Sequence, residues 1–201
     1  MLKQFTRITF IILALYGCGS GAALRIGEPA PGFEGIDSSG KIQRLADYRG
    51  KIVVLEWTNH DCPFVLKHYS AGNMQDQQRQ AATQGVIWLS VISSAPGKQG
   101  HVSPEEADEL TRNRNAQPHA VILDTEGRIG HSYNARTTPH MYIIDAAGRL
   151  VYMGGIDSIN SSNPNDISRA TQHVNVALQE MAAGKPVSTA VTRPYGCSVM
   201  Y

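Results

Sequence analysis

The most distinctive pattern in the chain is a series of short apolar runs rich in β-branched residues. KIVVLEW at residues 51–57 and GVIWLSVIS at residues 85–93 lack a regular polar alternation, which is typical of strands buried on both faces. A third run lies at residues 119–123. Residues 140–157, HMYIIDAAGRLVYMGGID, predict two strands joined by a tight turn, and hence an antiparallel hairpin.

Segments with helical features lie between these runs. Residues 62–84 predict a helix, with Pro63 at a first helical position where its missing N–H has no partner to lose. Residues 103–115, SPEEADELTRNRN, begin with Ser103 as a predicted N-cap and continue with acidic residues in the first turn. Shorter helical features follow the third strand.

A last helix is predicted over residues 165–184, capped by Asn165 or Asp166 and stopped by Gly184. Before the first strand the chain is rich in turns, including a hairpin-type turn at residues 37–41. The order of elements is β-α-β-α-β, then a hairpin, then a helix. This order predicts an α/β fold with a mixed central β-sheet flanked by helices, in which the late hairpin adds an antiparallel edge.

The N-terminus carries the features of a targeting segment. Two basic residues precede an apolar stretch, and small residues follow it, so residues 1–23 are predicted to be a signal peptide for export to a bacterial periplasm. The sequence LYGC also resembles a lipoprotein signal, in which Cys18 would be lipidated and anchor the protein to a membrane. The remaining chain is interpreted as one domain at residues 24–184 and a tail at residues 185–201 that carries Cys197.

Composition narrows the classes of partner. The formal net charge is +1, charged residues make up 17% of the chain, and no run of Lys or Arg stands out. Nucleic acid is therefore not expected as a partner, and a membrane is expected only through a lipid anchor. Of three cysteines, Cys62 and Cys197 remain once Cys18 is removed or lipidated. In an oxidising compartment two such cysteines are more often paired than free, although their separation in sequence leaves open whether they meet.

Cys62 is the candidate for chemistry because it lies where a strand passes into a helix. Free N–H groups and the positive end of the helix dipole stabilise a thiolate there. The alternative is a buried, inert cysteine. His60, Lys67 and His68 are near Cys62 in sequence and are auxiliary candidates, but each is expected to be a solvated side chain. Pro139, directly before a strand, is a candidate for a cis peptide bond.

Several stretches together resemble the thioredoxin-like superfamily of redoxin and peroxiredoxin type. They are RIGEPAPGFEGIDSSGKIQRLADYRGKIVVLEW, the Asp-Cys helix start, and VILDTEGRIGHSYNARTTPHMYIIDAAGRLVYMGGID, and the resemblance spans residues 25–183. It implies a thioredoxin-like fold in which Pro139 is a cis-proline facing the active cysteine. Thr138 then precedes it in the site, and His140 lies close behind.

NHDCPFVLKHY and RPYGCSVMY most resemble a peroxiredoxin-like group of bacterial thioredoxin-fold proteins. The resemblance implies that Cys62 corresponds to the first sulfur of the two-cysteine thioredoxin motif and that Cys197 matches a Gly-Cys-Ser near the C-terminus. Val65 stands where the second cysteine of that motif would be, which rules out a local disulfide.

The chain departs from peroxiredoxins proper at three places. Asn59 and Leu55 stand where those proteins have Thr and Pro, and Arg136 is the nearest candidate for their active-site arginine. Peroxide reduction by their mechanism is therefore less favoured than disulfide exchange.

Four hypotheses follow. The first is a thiol–disulfide oxidoreductase that needs no cofactor, in which Cys62 attacks and Cys197 resolves, with a disulfide-bearing protein as substrate and a thiol as reductant. The second is a thiol peroxidase that acts on small peroxides through a Cys62 sulfenic acid. The third is a non-enzymatic binding domain stapled by a permanent Cys62–Cys197 disulfide. The fourth, least favoured, is copper or zinc binding by Cys62 with His60, His68 or His140.

Overall fold

The computed structural model describes residues 24–201. Its strands are β1 (Glu34–Ile36), β2 (Ile42–Arg44), β3 (Val53–Trp57), β4 (Ile87–Ile92), β5 (Ala120–Leu123), β6 (Thr137–Thr138), β7 (His140–Ile144), β8 (Leu150–Gly154) and β9 (Cys197–Ser198). Five of them form a mixed central sheet in the order β5-β4-β3-β7-β8. The α-helices are α1 (Pro63–Ser70), α2 (Asn73–Thr83), α3 (Pro104–Asn113), α4 (Arg128–Ser132) and α5 (His173–Ala182).

The central sheet confirms the predicted mixture of parallel and antiparallel strands. β3 pairs in parallel with β4, and β4 with β5. On its other side β3 pairs with β7 in antiparallel fashion, and β7 forms the expected hairpin with β8. β3 and β4 are buried along their whole length, because helices or loops cover both faces of the sheet.

Two apolar clusters fill the faces of the sheet. One contains Val54 with side chains from α1, α2 and α5. The other contains Leu55 and Trp57 with side chains from α4 and the N-terminal segment. Trp57 is fully buried and donates from Nε1 to Ser93 Oγ at 3.0 Å, so it is a core residue. These clusters fix the end of β3, after which Cys62 follows.

Two helix predictions need correction. The helix predicted over residues 62–84 is two helices, because Gly72 adopts a left-handed conformation (φ 73°) between α1 and α2. The helix predicted over residues 165–184 is a 3₁₀ helix, Pro164–Arg169, capped by Asn163, followed by α5. Gly184 follows its end with φ 69°, as a helix stop should.

Other local predictions are confirmed. The Ser103 hydroxyl accepts from Glu106 N at 3.2 Å while the Glu106 carboxylate accepts from Ser103 N at 2.7 Å, which completes a capping box for α3. β1 and β2 form the predicted N-terminal hairpin. The predicted signal peptide and Cys18 lie outside the described residues. Within residues 24–201, every helix is too short or too polar to cross a membrane.

Candidate active site

Cys62 is the N-cap of α1 and is fully buried. The loop from β3 is held by local bonds: Cys62 N donates to Asn59 O at 3.1 Å, and the Asn59 side chain accepts from Asp61 N at 2.9 Å. Pro63 occupies N1, as predicted, and Leu66 N donates back to Cys62 O at 2.9 Å. The thiol therefore lies at a helix N-terminus, where the backbone favours negative charge.

The loop before β7 meets this thiol from the opposite side. The peptide bond between Thr138 and Pro139 is cis, and both residues are buried. Cys62 Sγ donates to Thr138 O at 3.1 Å. Folding thus joins two segments that the sequence separates by 76 positions.

The C-terminal tail brings Cys197 to the same place. β9 pairs with β6 in antiparallel fashion, with Cys197 opposite Thr138 and Ser198 opposite Thr137. Cys197 also packs in the apolar cluster that contains Cys62, and both are free thiols. The pKa of Cys197 is raised to about 12, first by burial and then by the hydrogen bond and charge of Cys62. The two cysteines are therefore neighbours in the folded protein.

Lys67 and His68 are not solvated, contrary to the expectation from the sequence. Both side chains on α1 have no exposed surface. Lys67 Nζ forms an ion pair with Asp157 Oδ2 at 2.8 Å and also donates to Ile159 O at 3.1 Å. Charged side chains are usually solvated, and the prediction was wrong because α1 buries these two against partners that follow β8.

His68 is a neutral part of this buried cluster. Its Nδ1 accepts from Asn73 Nδ2 at 2.7 Å, and its Nε2 lies 3.7 Å from Asp157 Oδ2. Burial lowers the pKa of His68 to about 4, although the nearby Asp157 carboxylate opposes that shift. At neutral pH the pair of charges in the cluster is therefore Lys67 with Asp157.

Tyr195, two residues before Cys197, connects the tail to this cluster. It is 6% exposed, and its hydroxyl donates to the Asp157 carboxylate and accepts from Lys67 Nζ at 3.4 Å. Its ring packs edge-on against Phe64 of α1 with centroids 5.8 Å apart. Burial and the Asp157 charge raise the pKa of Tyr195, so the hydroxyl stays protonated. Both Asp157 and Tyr195 lie in stretches that carry the resemblance, but sequence reasoning missed their roles because their partners are more than thirty residues away.

Three other candidate residues have partners other than the thiols. His60 is half-buried and faces Asp61 at 3.3 Å, while Arg136 is exposed and donates from Nε to Asn134 at 3.2 Å. His140 is buried against Tyr142, whose hydroxyl is 3.2 Å from His140 Nδ1. Among residues 24–201, no cluster of three or more His, Cys, Asp or Glu side chains is arranged to hold a metal ion.

Glu56 is a buried acid that sequence reasoning did not single out. Its carboxyl group on β3 has no exposed surface and accepts from Tyr69 at 2.8 Å, Trp88 at 2.8 Å and Ser90 at 3.1 Å. Burial raises its pKa, and the donors only partly oppose that effect. The one signal in the sequence was the position of Glu56 between Leu55 and Trp57 in a predicted buried strand, because a buried acid needs hydrogen-bond partners.

The burial of His140 predicts a loss of stability on acidification. Burial and, next, the charge of Arg136 lower its pKa to about 4, below the value of roughly 6.5 in an unfolded chain. The unfolded state therefore binds this proton first, so His140 contributes full stability above about pH 6.5 and loses it toward about pH 4. The advantage of the wild type over His140→Asn in free energy of unfolding is expected to shrink by roughly 3 kcal/mol across that range. Urea unfolding at both pH values checks this, and a pH-independent difference would contradict it.

Cys62 lies at the N-terminus of α1 and contacts the loop that contains the cis peptide bond before Pro139. Together with the fold, this arrangement defines a thioredoxin-like protein. Residues 26–153 match the AhpC/TSA family, and the chain belongs to that family. The match covers the strand before Cys62, the cysteine itself and the cis-proline loop, and it ends before the tail that carries Cys197.

Solved structures share the same fold. An uncharacterised conserved protein from Geobacillus kaustophilus is 23% identical, with a TM-score of 0.78 over 89% of this chain and 93% of its own. A hypothetical protein from Sinorhizobium meliloti is 21% identical, with a TM-score of 0.77 over 90% of this chain and 96% of its own. A putative protein disulfide isomerase from Bacteroides thetaiotaomicron is 20% identical, with a TM-score of 0.52 over 65% and 79%. No curated protein is significantly similar in sequence.

Proposed function

We propose that the protein is a thiol–disulfide oxidoreductase in which Cys62 is the nucleophile and Cys197 the resolving cysteine. The observation that carries this proposal is the pairing of β9 with β6. It sets Cys197 opposite Thr138, the residue whose carbonyl accepts from the Cys62 thiol. Two free cysteines from distant parts of the chain thus meet at the N-terminus of α1.

In the first step the Cys62 thiolate attacks one sulfur of a substrate disulfide. A bond forms between Cys62 and that sulfur, the substrate S–S bond breaks, and the second substrate sulfur leaves as a thiolate that takes up a proton. In the reduced protein the hydrogen bond to Thr138 O orients the Cys62 thiol, and this bond is given up when the thiol loses its proton to attack.

In the second step the Cys197 thiolate attacks the Cys62 sulfur. The Cys62–Cys197 disulfide forms, and the remaining substrate thiol leaves, so the substrate gains two electrons that the protein loses. Once Cys62 is in a mixed disulfide, its sulfur carries no charge and is a poor acceptor for the Cys197 proton, so the two contributions of Cys62 to the raised pKa of Cys197 are removed. Cys197 then loses its proton more easily at the stage when it must attack. An external dithiol returns both cysteines to the reduced form.

The surroundings of Cys62 favour disulfide exchange over the peroxidase alternative. Leu55 is a fully buried core residue, and the Asn59 side chain is used within its own loop and against Gly100. Arg136 is exposed and directed at Asn134. The positions that would correspond to the peroxidase residues therefore have other local roles.

The test is reduction of a small disulfide, hydroxyethyl disulfide, with a dithiol as the electron source. The wild type is expected to catalyse this reaction, and Cys62→Ser is expected to lose all activity above background. Asp61→Asn changes an exposed residue next to Cys62 and is expected to keep the activity. An inactive wild type would rule out the proposal. Faster consumption of hydrogen peroxide than of disulfide would move the assignment to thiol peroxidase. A Cys62–Cys197 bond that resists the dithiol would favour the structural staple.

We also propose that the protein is exported and acts in an oxidising compartment. The basic, apolar and small residues in order along residues 1–23 support this. The intact mass of the mature protein should correspond to a chain without residues 1–23 or, if Cys18 is the anchor, to a chain that begins at Cys18 and carries an added lipid mass. A mature protein that retains residues 1–23 contradicts export by this route.

A further inference from the structure

We propose that the docked tail, residues 195–201, occupies the backbone edge on which an extended polypeptide disulfide would bind, so that such substrates reach Cys62 only when the tail is displaced. This inference rests on the proposed role of Cys62 as nucleophile. It concerns the class of substrate that the site admits.

The edge of β6 nearest to Cys62 is already occupied. The Thr138 carbonyl accepts a hydrogen bond from the Cys62 thiol, and the backbone of Thr138 pairs with that of Cys197. An extended peptide binds a sheet edge by adding a strand, and one edge accepts one strand. Because this edge holds β9, a polypeptide that presents its disulfide along it must compete with the tail.

Burial of the nucleophile supports the same conclusion. With the tail docked, Cys62 has no exposed surface. A small disulfide needs only the Cys62 sulfur to be uncovered, whereas a polypeptide also needs the backbone groups of β6. The tail therefore discriminates against disulfides that lie within a polypeptide and in favour of small disulfides.

The tail is held on both sides of Cys197. Before it, the Tyr195 hydroxyl donates to the buried Asp157 carboxylate. After it, Val199 N donates to Arg136 O at 3.0 Å, and the Tyr201 hydroxyl donates to Ala135 O at 2.8 Å. These contacts define one docked position. Residues 196–201 nevertheless keep part of their surface exposed, so the tail can leave without unfolding the sheet.

Gly196 offers a way to displace the tail. Its φ is 129°, and a Cβ built there would lie 2.0 Å from Thr138 O, which is backbone and cannot move aside cheaply. Gly196→Val is therefore incompatible with the pairing of β9 and β6. Ser198→Val is the matched control, because it adds the same side chain two residues further along the tail at an exposed position that suits a strand.

The experiment uses Cys197→Ser protein, in which only the Cys62 exchange is measured. Two probes carry the same 2-thiopyridyl disulfide, one on N-acetylcysteine amide and one in the middle of an unstructured decapeptide, so that the chemistry and the absorbing product are identical. Gly196→Val is expected to raise the ratio of the peptide rate to the small-probe rate about tenfold. This factor corresponds to a tail that is displaced in about one tenth of the molecules with Gly196 and in nearly all molecules of the variant. Ser198→Val should leave the ratio unchanged. Tyr195→Phe, which removes one anchor, should raise it by less and serves if Gly196→Val fails to fold.

The outcomes separate the two proposals. If neither probe reacts with Cys62, the oxidoreductase proposal fails. If both probes react and Gly196→Val and Tyr195→Phe leave the ratio unchanged, the strand-competition inference is overturned while the oxidoreductase proposal stands. An equal gain for both probes identifies a simple cover over the sulfur and also overturns the inference.

Discussion

Replacing Asp157 with asparagine is expected to lower the free energy of unfolding by about 3–5 kcal/mol. The change leaves the Lys67 ammonium without its counter-charge in a site where neither side chain has exposed surface. Burial of a single charge is unfavourable because the charge loses its hydration. In the variant no opposite charge offsets this loss, so the folded state is destabilised. The variant also weakens the bond that anchors Tyr195, so the tail should become more accessible to protease.

Urea unfolding of the wild type and the variant measures this loss. Glu34→Gln is the control, because it breaks the exposed pair with Arg44 and should cost less than about 1 kcal/mol. The double variant Lys67→Met with Asp157→Asn removes the stranded charge and should recover part of the lost stability. A loss for Asp157→Asn no larger than that of the surface control would show that the buried pair is not as isolated from water as the structure indicates.

Replacing Cys197 with serine is expected to slow the release of the second substrate thiol in a single turnover about 100-fold when the external dithiol is held at about 10 μM. A tethered thiol acts at an effective concentration in the millimolar range or above, roughly 100-fold higher than that reductant. The first exchange at Cys62 should still occur at or above the wild-type rate, because the substitution removes the resolving thiol but leaves the nucleophile intact. The mixed disulfide between Cys62 and substrate should therefore accumulate.

Stopped-flow release of the first substrate thiol and intact-mass detection of the mixed disulfide separate the two steps. Ser198→Ala, which changes the exposed neighbour of Cys197, is expected to turn over like the wild type. Release of the second substrate thiol from Cys197→Ser at the wild-type rate, with no accumulated intermediate, would assign resolution to the external thiol and remove Cys197 from the mechanism.

Much of the fold was predictable from local patterns. The largely apolar runs before α1 and after α2 predicted buried strands, and the paired runs around DAAGR predicted the β7–β8 hairpin. Ser103 and Pro63 marked helix starts because capping and N1 preferences act over a few residues. The resemblance to thioredoxin-like proteins implied the cis peptide bond before Pro139, and the structure contains it.

The helix errors have local causes that the patterns did not weigh correctly. A single glycine, Gly72, divided one predicted helix because a left-handed residue ends the hydrogen-bond ladder. The N-terminal part of the last predicted helix became a 3₁₀ turn, since Asn163 capped it earlier and Gln172 pairs with Asp157 in an isolated bridge. Propensity is a weak guide where such contacts compete with it.

The sequence by itself determined the order of the elements, the mixed sheet and the position of Cys62 at a helix start, because each depends on residues close together in the chain. Only the tertiary structure decided that Lys67 is buried rather than solvated, since its counter-ion Asp157 lies 90 positions away. It also decided that the tail docks with Cys197 opposite Thr138. Those contacts join surfaces that meet only after the sheet has formed, and no pattern within a short window carries them.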